Sequence, residues 1–97
     1  MKIIWHNRAS QDLNDNIKYI AKSSPQNAIM VLNKLTDLVD SLNTLPFRYP
    51  VEPIYNKDNI RFIAKWSFKI IYRIEVDTIY ILRIFNTNQH PDKIKYF

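Results

Sequence analysis

Five cations interrupt a run of β-branched and aromatic residues between positions 60 and 85: Arg61, Lys65, Lys69, Arg73 and Arg83. The stretch from residue 60 to residue 74 contains no acidic residue. Strand-forming residues that carry unpaired cations predict a sheet that presents positive charge. Such a surface could bind an anionic partner, either a nucleic acid or an acidic segment of a protein.

The composition limits the kind of protein to which this surface can belong. The chain has 97 residues, 46% of them hydrophobic, and a net charge of +5, which predicts one globular domain over residues 1–97. No stretch approaches the roughly 20 apolar residues of a membrane-spanning helix, and the N-terminus has no apolar signal-peptide core. We therefore expect a cytoplasmic protein without a membrane partner.

Missing residue types exclude several kinds of chemistry. The chain contains no cysteine and only two, isolated, histidines, so we expect no disulfide, no thiolate nucleophile and no metal site. It also contains no glycine, although the loops that hold nucleotide cofactors need glycine where the backbone approaches a phosphate. We therefore expect no cofactor, and any phosphate would be held by side chains.

The N-terminal half has the pattern of a strand followed by two helices. Residues 2–6 resemble a short strand, and Asn7 is predicted to cap the first helix. This helix has an apolar stripe, with Asp12 outside it, formed by Ala9, Leu13, Ile17, Ile20 and Ala21. The second helix is predicted from the Ser24 cap to Asn43, with an apolar stripe formed by Ala28, Leu32, Leu35, Val39 and Leu42. The two helices should form an antiparallel hairpin.

The C-terminal half has the pattern of three strands that follow an extended crossover. Strands are predicted at residues 60–64, 68–75 and 78–85, and the short turns between them favour an antiparallel meander. The whole chain is therefore predicted to have an α+β fold of order β-α-α-β-β-β, in which the helix hairpin packs on a twisted, mainly antiparallel sheet. The strand register, and hence the set of cations that share a face, stays open.

The order of these elements and several short motifs resemble the RelE/ParE superfamily of toxins from type II toxin–antitoxin systems. The resemblance spans the chain and rests on Asp12-Leu13, Tyr19-Ile20, Ser24-Pro25, Leu45-Pro46, Tyr49-Pro50, Arg61, the segments 69–74 and 79–85, and Gln89-His90-Pro91. It implies a growth-inhibitory bacterial toxin that a cognate antitoxin neutralises, with a toxin–antitoxin hetero-oligomer as the inactive form. The expected antitoxin contact neutralises Arg61, Lys69, Arg73 and Arg83 in part.

The superfamily has two activities that make different demands on this surface. The RelE-like branch cuts messenger RNA on the ribosome and needs several cations together with a proton carrier. If this chain is such an endoribonuclease, the resemblance makes Lys69, Arg73, Arg83 and His90 the candidate catalytic residues. Lysine at position 69 replaces the arginine that is common in that branch, and it lacks the bidentate fork that arginine offers a phosphate.

The ParE-like branch poisons DNA gyrase by protein–protein contact and is not an enzyme. Residues 85–91, Phe-Asn-Thr-Asn-Gln-His-Pro, keep the layout of the tail found in many such toxins, with asparagine at the usual histidine and arginine positions. We favour the ParE-like function because the tail spacing is retained while ionisable side chains are missing between Phe85 and His90. The residues expected to bind the target or the antitoxin are then Arg61, Lys65, Lys69, Arg73 and Arg83.

Other interpretations of the same residues stay open. The cations could form an ordinary solvated strand face, or Arg61 and Arg83 could pair with Asp58, Glu75 or Asp77 as structural ion pairs. His6 is expected to be a structural or surface histidine, and the aromatic residues are expected to pack in or beside the core. A non-toxic basic RNA-binding module is a further alternative, and it predicts affinity for RNA that falls steeply with salt.

Overall fold

A computed structural model describes residues 1–88, and the predictions for Gln89, His90, Pro91 and the rest of the tail lie outside the described residues. The elements follow in the order β1 (Lys2–Trp5), α1 (Asn7–Ser23), α2 (Pro25–Ser41), a short 3-10 helix (Pro46–Arg48), β2 (Ile60–Lys65), β3 (Phe68–Ile74) and β4 (Thr78–Asn86). This order and the packing of both helices on the sheet confirm the predicted α+β fold.

The four strands form one mixed sheet in the order β1-β4-β3-β2. The pairs β2–β3 and β3–β4 are antiparallel, as the meander predicts, whereas β1 runs parallel to β4. The amide of Lys2 donates to Asp77 O and the amide of His6 donates to Ile81 O, both at 2.9 Å, and these bonds attach both ends of β1 to β4. The N-terminal strand therefore occupies one edge of the sheet, and the last strand lies inside it.

The helix starts follow capping chemistry, with one correction to the sequence prediction. Ser24 Oγ accepts from the amide of Asn27 and Pro25 occupies the first helical position of α2, as predicted. The prediction that Asn7 caps α1 is wrong, because Asn7 is the first helical residue and His6 is the cap. His6 Nδ1 accepts from the amide of Arg8 at 3.1 Å, which agrees with the structural role expected for this histidine.

The main core lies between the helix hairpin and one face of the sheet. Leu35, Val39 and Leu42 of α2 have no solvent exposure and pack in one cluster with alternate residues of the strands, which include Ile63, Ile70, Tyr72, Ile79, Ile81 and Ile84. We call this side of the sheet the inner face. On β3 its apolar residues repeat every second position, because successive side chains of a strand point to opposite faces, and on β4 this repeat is interrupted between Ile81 and Ile84.

The opposite side, the outer face, carries a second and smaller apolar cluster. Its buried residues are Ile60, Ile71, Leu82 and Phe85, and Tyr55, Phe62 and Tyr80 pack against them. Ile71 pairs with Arg83 while the next residue, Tyr72, pairs with Ile81, so Leu82 is an extra residue that forms a bulge in β4. The bulge keeps Leu82, Arg83 and Phe85 on the outer face while Ile84 stays on the inner one.

The crossover between α2 and β2 is only partly extended, contrary to the prediction of an extended segment. Residues 46–48 form the 3-10 helix, and the Tyr72 hydroxyl donates to Pro46 O at 2.6 Å. Beyond it, Val51 bridges to Arg61 at the edge of β2, and the amide of Glu52 donates to Ile60 O. The crossover therefore covers the edge of β2 and brings Glu52 beside the sheet. Among residues 1–88, no helix is both long and apolar enough to cross a membrane.

Candidate functional site

The five predicted cations do not share one surface. By strand register, Lys69, Arg73 and Arg83 lie on the outer face, since they pair with Phe85, Tyr80 and Ile71 respectively. Arg61 and Lys65 alternate with the outer-face residue Phe62 and therefore lie on the side of Ile63, which belongs to the inner face. The structure thus brings three of the five cations together and separates the other two.

Arg61 holds the crossover in place. Its Nη1 donates to the carbonyls of Phe47 and Tyr49 at 3.1 and 2.9 Å, and its Nε and Nη2 donate to the carbonyl and the carboxylate of Asp58, both at 2.8 Å. The premise that this cation is unpaired is wrong, and the alternative of a structural ion pair with Asp58 is confirmed. With all three guanidinium nitrogens bonded inside the chain, Arg61 has little capacity left for a partner.

Lys69 is neutralised by a buried acid from the crossover, so it too is not unpaired. Its Nζ donates to Glu52 Oε1 at 2.7 Å, and the Glu52 side chain is 0% exposed. Glu52 Oε2 accepts from the amides of Ile54 and Tyr55 at 2.8 and 3.0 Å. Burial raises the pKa of Glu52, but Lys69 and the two backbone amides outweigh it and hold this pKa below its ordinary value.

Arg83 is paired with an acid that lies 71 positions away in the sequence. Its Nε and Nη2 donate to the two carboxylate oxygens of Asp12 at 2.8 and 3.1 Å, a bidentate arrangement, and Asp12 Oδ2 also accepts from the amide of Ile84 at 2.9 Å. The alternative that paired Arg83 with Asp58, Glu75 or Asp77 is wrong. The Arg83–Asp12 pair joins α1 to the edge of β4 beyond the end of β1.

Asp12 and Glu52 are the two residues that the sequence analysis missed. Asp12 lies outside the apolar stripe, as predicted, but its spacing of three from the buried Ala9 places it at the stripe's border. Glu52 is the only acid in the segment from Leu45 to Lys57. Two sequence signals could have identified these residues. Asp12 is an acid at the border of an apolar stripe, and Glu52 is an isolated acid in a segment without other acids.

Arg73 has the most open ion pair of the outer face. Its Nε lies 3.0 Å from Glu75 Oε1, and the two side chains are 39% and 47% exposed. The Nε atom is itself buried and has no hydrogen-bond partner of acceptable geometry, so this contact is an ion pair without an aligned hydrogen bond. Arg73 and Glu75 line a cleft of about 520 Å³ together with His6, Tyr55, Lys57, Asn59, Ile60 and Leu82.

Each outer-face cation also lies over an aromatic ring. Lys69 Nζ is 4.7 Å from the centre of the Phe62 ring, Arg73 Cζ is 4.8 Å from that of Tyr80, and Arg83 Cζ is 4.7 Å from that of Phe85. These three cations have acidic partners on three different segments, Glu52, Glu75 and Asp12. The three outer-face cations are therefore each balanced by an acid, where the sequence pattern predicts unpaired positive charge.

Lys65 lies at the tip of the β2–β3 hairpin, beside an exposed tryptophan. Its Nζ is 5.2 Å from the centre of the Trp66 ring, and Trp66 is 55% exposed. Trp66 has φ 53°, in the left-handed region that is unfavourable for a residue with a Cβ. The two-residue turn of Trp66 and Ser67 therefore presents a large aromatic side chain to solvent, next to the partly buried cation of Lys65.

Proton carriers and metal ligands are sparse around these cations. Tyr72 is buried, its hydroxyl is bonded to Pro46 O, and burial raises its pKa well above the ordinary value. In the part of the chain that the structure describes, no group of three or more His, Cys, Asp or Glu side chains could hold a metal ion. After β4, residues 87 and 88 supply a hydroxyl and an amide, which do not exchange protons at neutral pH.

Comparisons with known proteins agree with this architecture. The model of a protein family described as the ParE toxin of the type II toxin–antitoxin system parDE matches residues 3–91. A chain of the solved structure "Chromosomal ParDE TA system from P. aeruginosa" has 22% sequence identity and a TM-score of 0.71, and the match covers 89% of this chain and 95% of that one. No curated protein matches the sequence.

Proposed function

The chain belongs to the ParE toxin family of type II toxin–antitoxin systems, and from this premise we propose that its target is DNA gyrase and that it leaves messenger RNA intact. As a ParE-like toxin it has a cognate antitoxin as its partner. The cytoplasm, where gyrase works, is the proposed compartment.

The Lys69–Glu52 pair carries this proposal. A RelE-like nuclease needs the residue at position 69 as a free cation that stabilises the charge of the reacting phosphate. Here its ammonium group is 2.7 Å from a carboxylate that is itself buried and held by two backbone amides. Because Glu52 already neutralises it, Lys69 would contribute little to the stabilisation of a phosphorane. This neutralisation favours contact with a protein target over RNA cleavage.

The accessible cations are the proposed contact residues. Arg61 is bonded to carbonyls of the crossover, and Arg83 is paired with Asp12. The more accessible cations are Lys65 near the hairpin tip and Arg73 in the cleft. Backbone strain at an exposed position often marks a functional site, and the left-handed Trp66 lies next to Lys65. We therefore propose that the tip formed by Lys65 and Trp66 contacts the target.

The two mechanisms are separated by measuring both activities of one preparation. The toxin is induced without its antitoxin while the 5′ ends of cellular messages are mapped, and the purified toxin is added to a gyrase supercoiling assay. We expect inhibited supercoiling and no new message ends. Prompt cleavage within ribosome-bound messages, abolished by His90→Ala and by Lys69→Gln, would overturn the proposal and identify a RelE-like nuclease.

Two controls keep this result interpretable. Lys69→Gln is combined with Glu52→Gln, because removal of the lysine alone leaves a buried carboxylate without its cation. Lys34→Gln removes the same charge from α2, away from the sheet cations, and should leave all the measured activities unchanged. Circular dichroism of each variant verifies that it is folded.

A further inference from the structure

The three ion pairs of the outer face differ in how firmly they are held. The carboxylates of Glu52 and Asp12 each bind a cation and also accept hydrogen bonds from backbone amides. If either carboxylate moved away, these amides would lose their acceptors. In the described part of the chain, no backbone amide donates to the Glu75 carboxylate. Glu75 contacts Arg73, and its side chain is about half exposed. The Arg73–Glu75 pair is therefore the one that a competing carboxylate can open at the lowest cost.

We propose that Arg73 exchanges carboxylates when the antitoxin binds: it releases Glu75 and takes up an aspartate or glutamate side chain of the antitoxin, which enters the cleft. The inference rests on the proposed function, since the partner is the cognate antitoxin. It assigns one cation as the anchor, where the sequence pattern implicates the whole basic sheet.

The geometry of Arg73 favours such an exchange. Its Nε is buried and lies 3.0 Å from Glu75 Oε1 without an aligned hydrogen bond, so a better-placed acceptor gains a bond that Glu75 does not make. The Tyr80 ring, 4.8 Å from the guanidinium carbon, helps to hold the plane of the guanidinium group in place. An arginine that is oriented in advance loses less side-chain entropy when it binds a carboxylate in a bidentate manner.

The cleft around Arg73 fits an acidic side chain in an apolar context. Ile60 and Leu82 are buried apolar residues of its lining, and Asn59, Tyr55 and the cation Lys57 supply polar groups. The formal charges of Arg73 and Lys57 exceed that of Glu75, and the excess grows once Glu75 moves away. A glutamate or aspartate next to an apolar residue would satisfy both the charge and the apolar lining.

The experiment measures the affinity of the purified toxin for its purified cognate antitoxin by isothermal titration calorimetry. Arg73→Gln should weaken binding about tenfold or more, because it removes the charged donor from a desolvated contact. Arg73→Lys should recover only part of this loss, since lysine lacks the fork. Glu75→Gln should tighten binding, because the competing carboxylate is gone. Lys34→Gln, an equal loss of charge on α2, should leave the affinity close to that of the wild type.

A direct readout follows the Arg73 Nε–H signal by NMR spectroscopy. On antitoxin binding it should shift downfield as it gains an aligned acceptor, and the same shift should be absent with an antitoxin whose acidic residues are replaced by amides. Unchanged affinity of both Arg73→Gln and Glu75→Gln would overturn the exchange, as would displacement of the antitoxin by single-stranded RNA from this cleft. An antitoxin that neither binds the wild-type toxin nor restores growth would contradict the proposed function instead.

Discussion

At the scale of residues, the acids decide what the cations can do. Glu52 is fully buried, yet it is ionised, because one cation and two backbone amides surround its carboxylate. Asp12 plays a similar role for Arg83, with one backbone amide. In these contacts, Lys69 and Arg83 bind acids that hold the crossover and α1 against the sheet. Fewer of the five sheet cations are therefore available to a partner than the sequence pattern suggests.

The Glu52–Lys69 pair predicts a pH dependence of stability. The folded-state pKa of Glu52 is lowered from its ordinary value of 4.5, so the unfolded state binds the proton more readily than the native state. The stabilisation is complete above this ordinary value and is lost as the pH falls through it towards the folded-state pKa. Urea titrations between pH 7 and pH 3 should show the free energy of unfolding falling in that window.

Glu52→Gln tests this assignment. The variant should lose about 3 kcal/mol at pH 7, because Lys69 stays beside the outer face without its counter-charge, and it should approach the wild-type value as the pH falls below 4.5. Asp37→Asn, at an exposed position of α2, should follow the wild-type curve. Parallel curves for the wild type and Glu52→Gln would show that this pair does not contribute to acid sensitivity.

At the scale of elements, two hairpins of the same meander differ at their tips. The β3–β4 turn places Val76 almost fully in solvent, and the β2–β3 turn places Trp66 there with a positive φ. A chain without glycine must use other residues at such positions, and asparagine tolerates them better than tryptophan does. Asn56, in the crossover, is the other residue with positive φ among residues 1–88. The tryptophan is therefore not explained by the needs of the turn.

Trp66→Asn should separate toxicity from stability. Relief of the left-handed strain, about 1 kcal/mol, is offset by the lost contact between Lys65 and the ring, about 0.5–1 kcal/mol at an exposed site, so the free energy of unfolding should hardly change. If the tip contacts the target, growth inhibition should fall markedly. Val76→Asn removes an exposed apolar side chain from the other tip and should leave growth inhibition intact. Full toxicity of Trp66→Asn would exclude the tip as a target contact.

At the scale of the whole molecule, one apolar layer holds the helix hairpin on the sheet. The inner-face cluster contains residues from both helices and from β2, β3 and β4, and Leu35 in α2 has no exposure at all. The outer face has a smaller cluster that the crossover and the side chains of the cations cover. The stability of the domain therefore depends mainly on the layer between the helices and the sheet.

Leu35→Asp tests this dependence. The substitution places an unpaired charge in the main core and should cost several kcal/mol, a large part of the total stability of a domain of this size. We expect loss of the cooperative melting transition. Leu45→Asp makes the same chemical change at a residue that is 59% exposed and should keep the transition. A wild-type melting profile for Leu35→Asp would contradict the packing.

The sequence by itself determined the elements and their order. The apolar spacing of α1 and α2, the Ser24 cap and the alternation in the strands depend on residues a few positions apart, and local backbone geometry turns such spacing into helices and strands. The same local rules predicted the two hairpins and, with the family resemblance, the fold. They placed Arg61, Lys69, Arg73 and Arg83 on strands, whereas Lys65 was assigned to the turn and is in fact the last residue of β2.

Only the tertiary structure decided which of those cations are free. Arg83 meets Asp12 because β4 passes beside α1, and the bulge at Leu82 determines the face on which Arg83 lies. Lys69 meets Glu52 because the crossover follows the edge of β2. Contacts between residues this far apart depend on chain path and strand register, to which no local pattern in the sequence is sensitive. The candidate site was therefore predictable as a set of cations, whereas their charge balance was not.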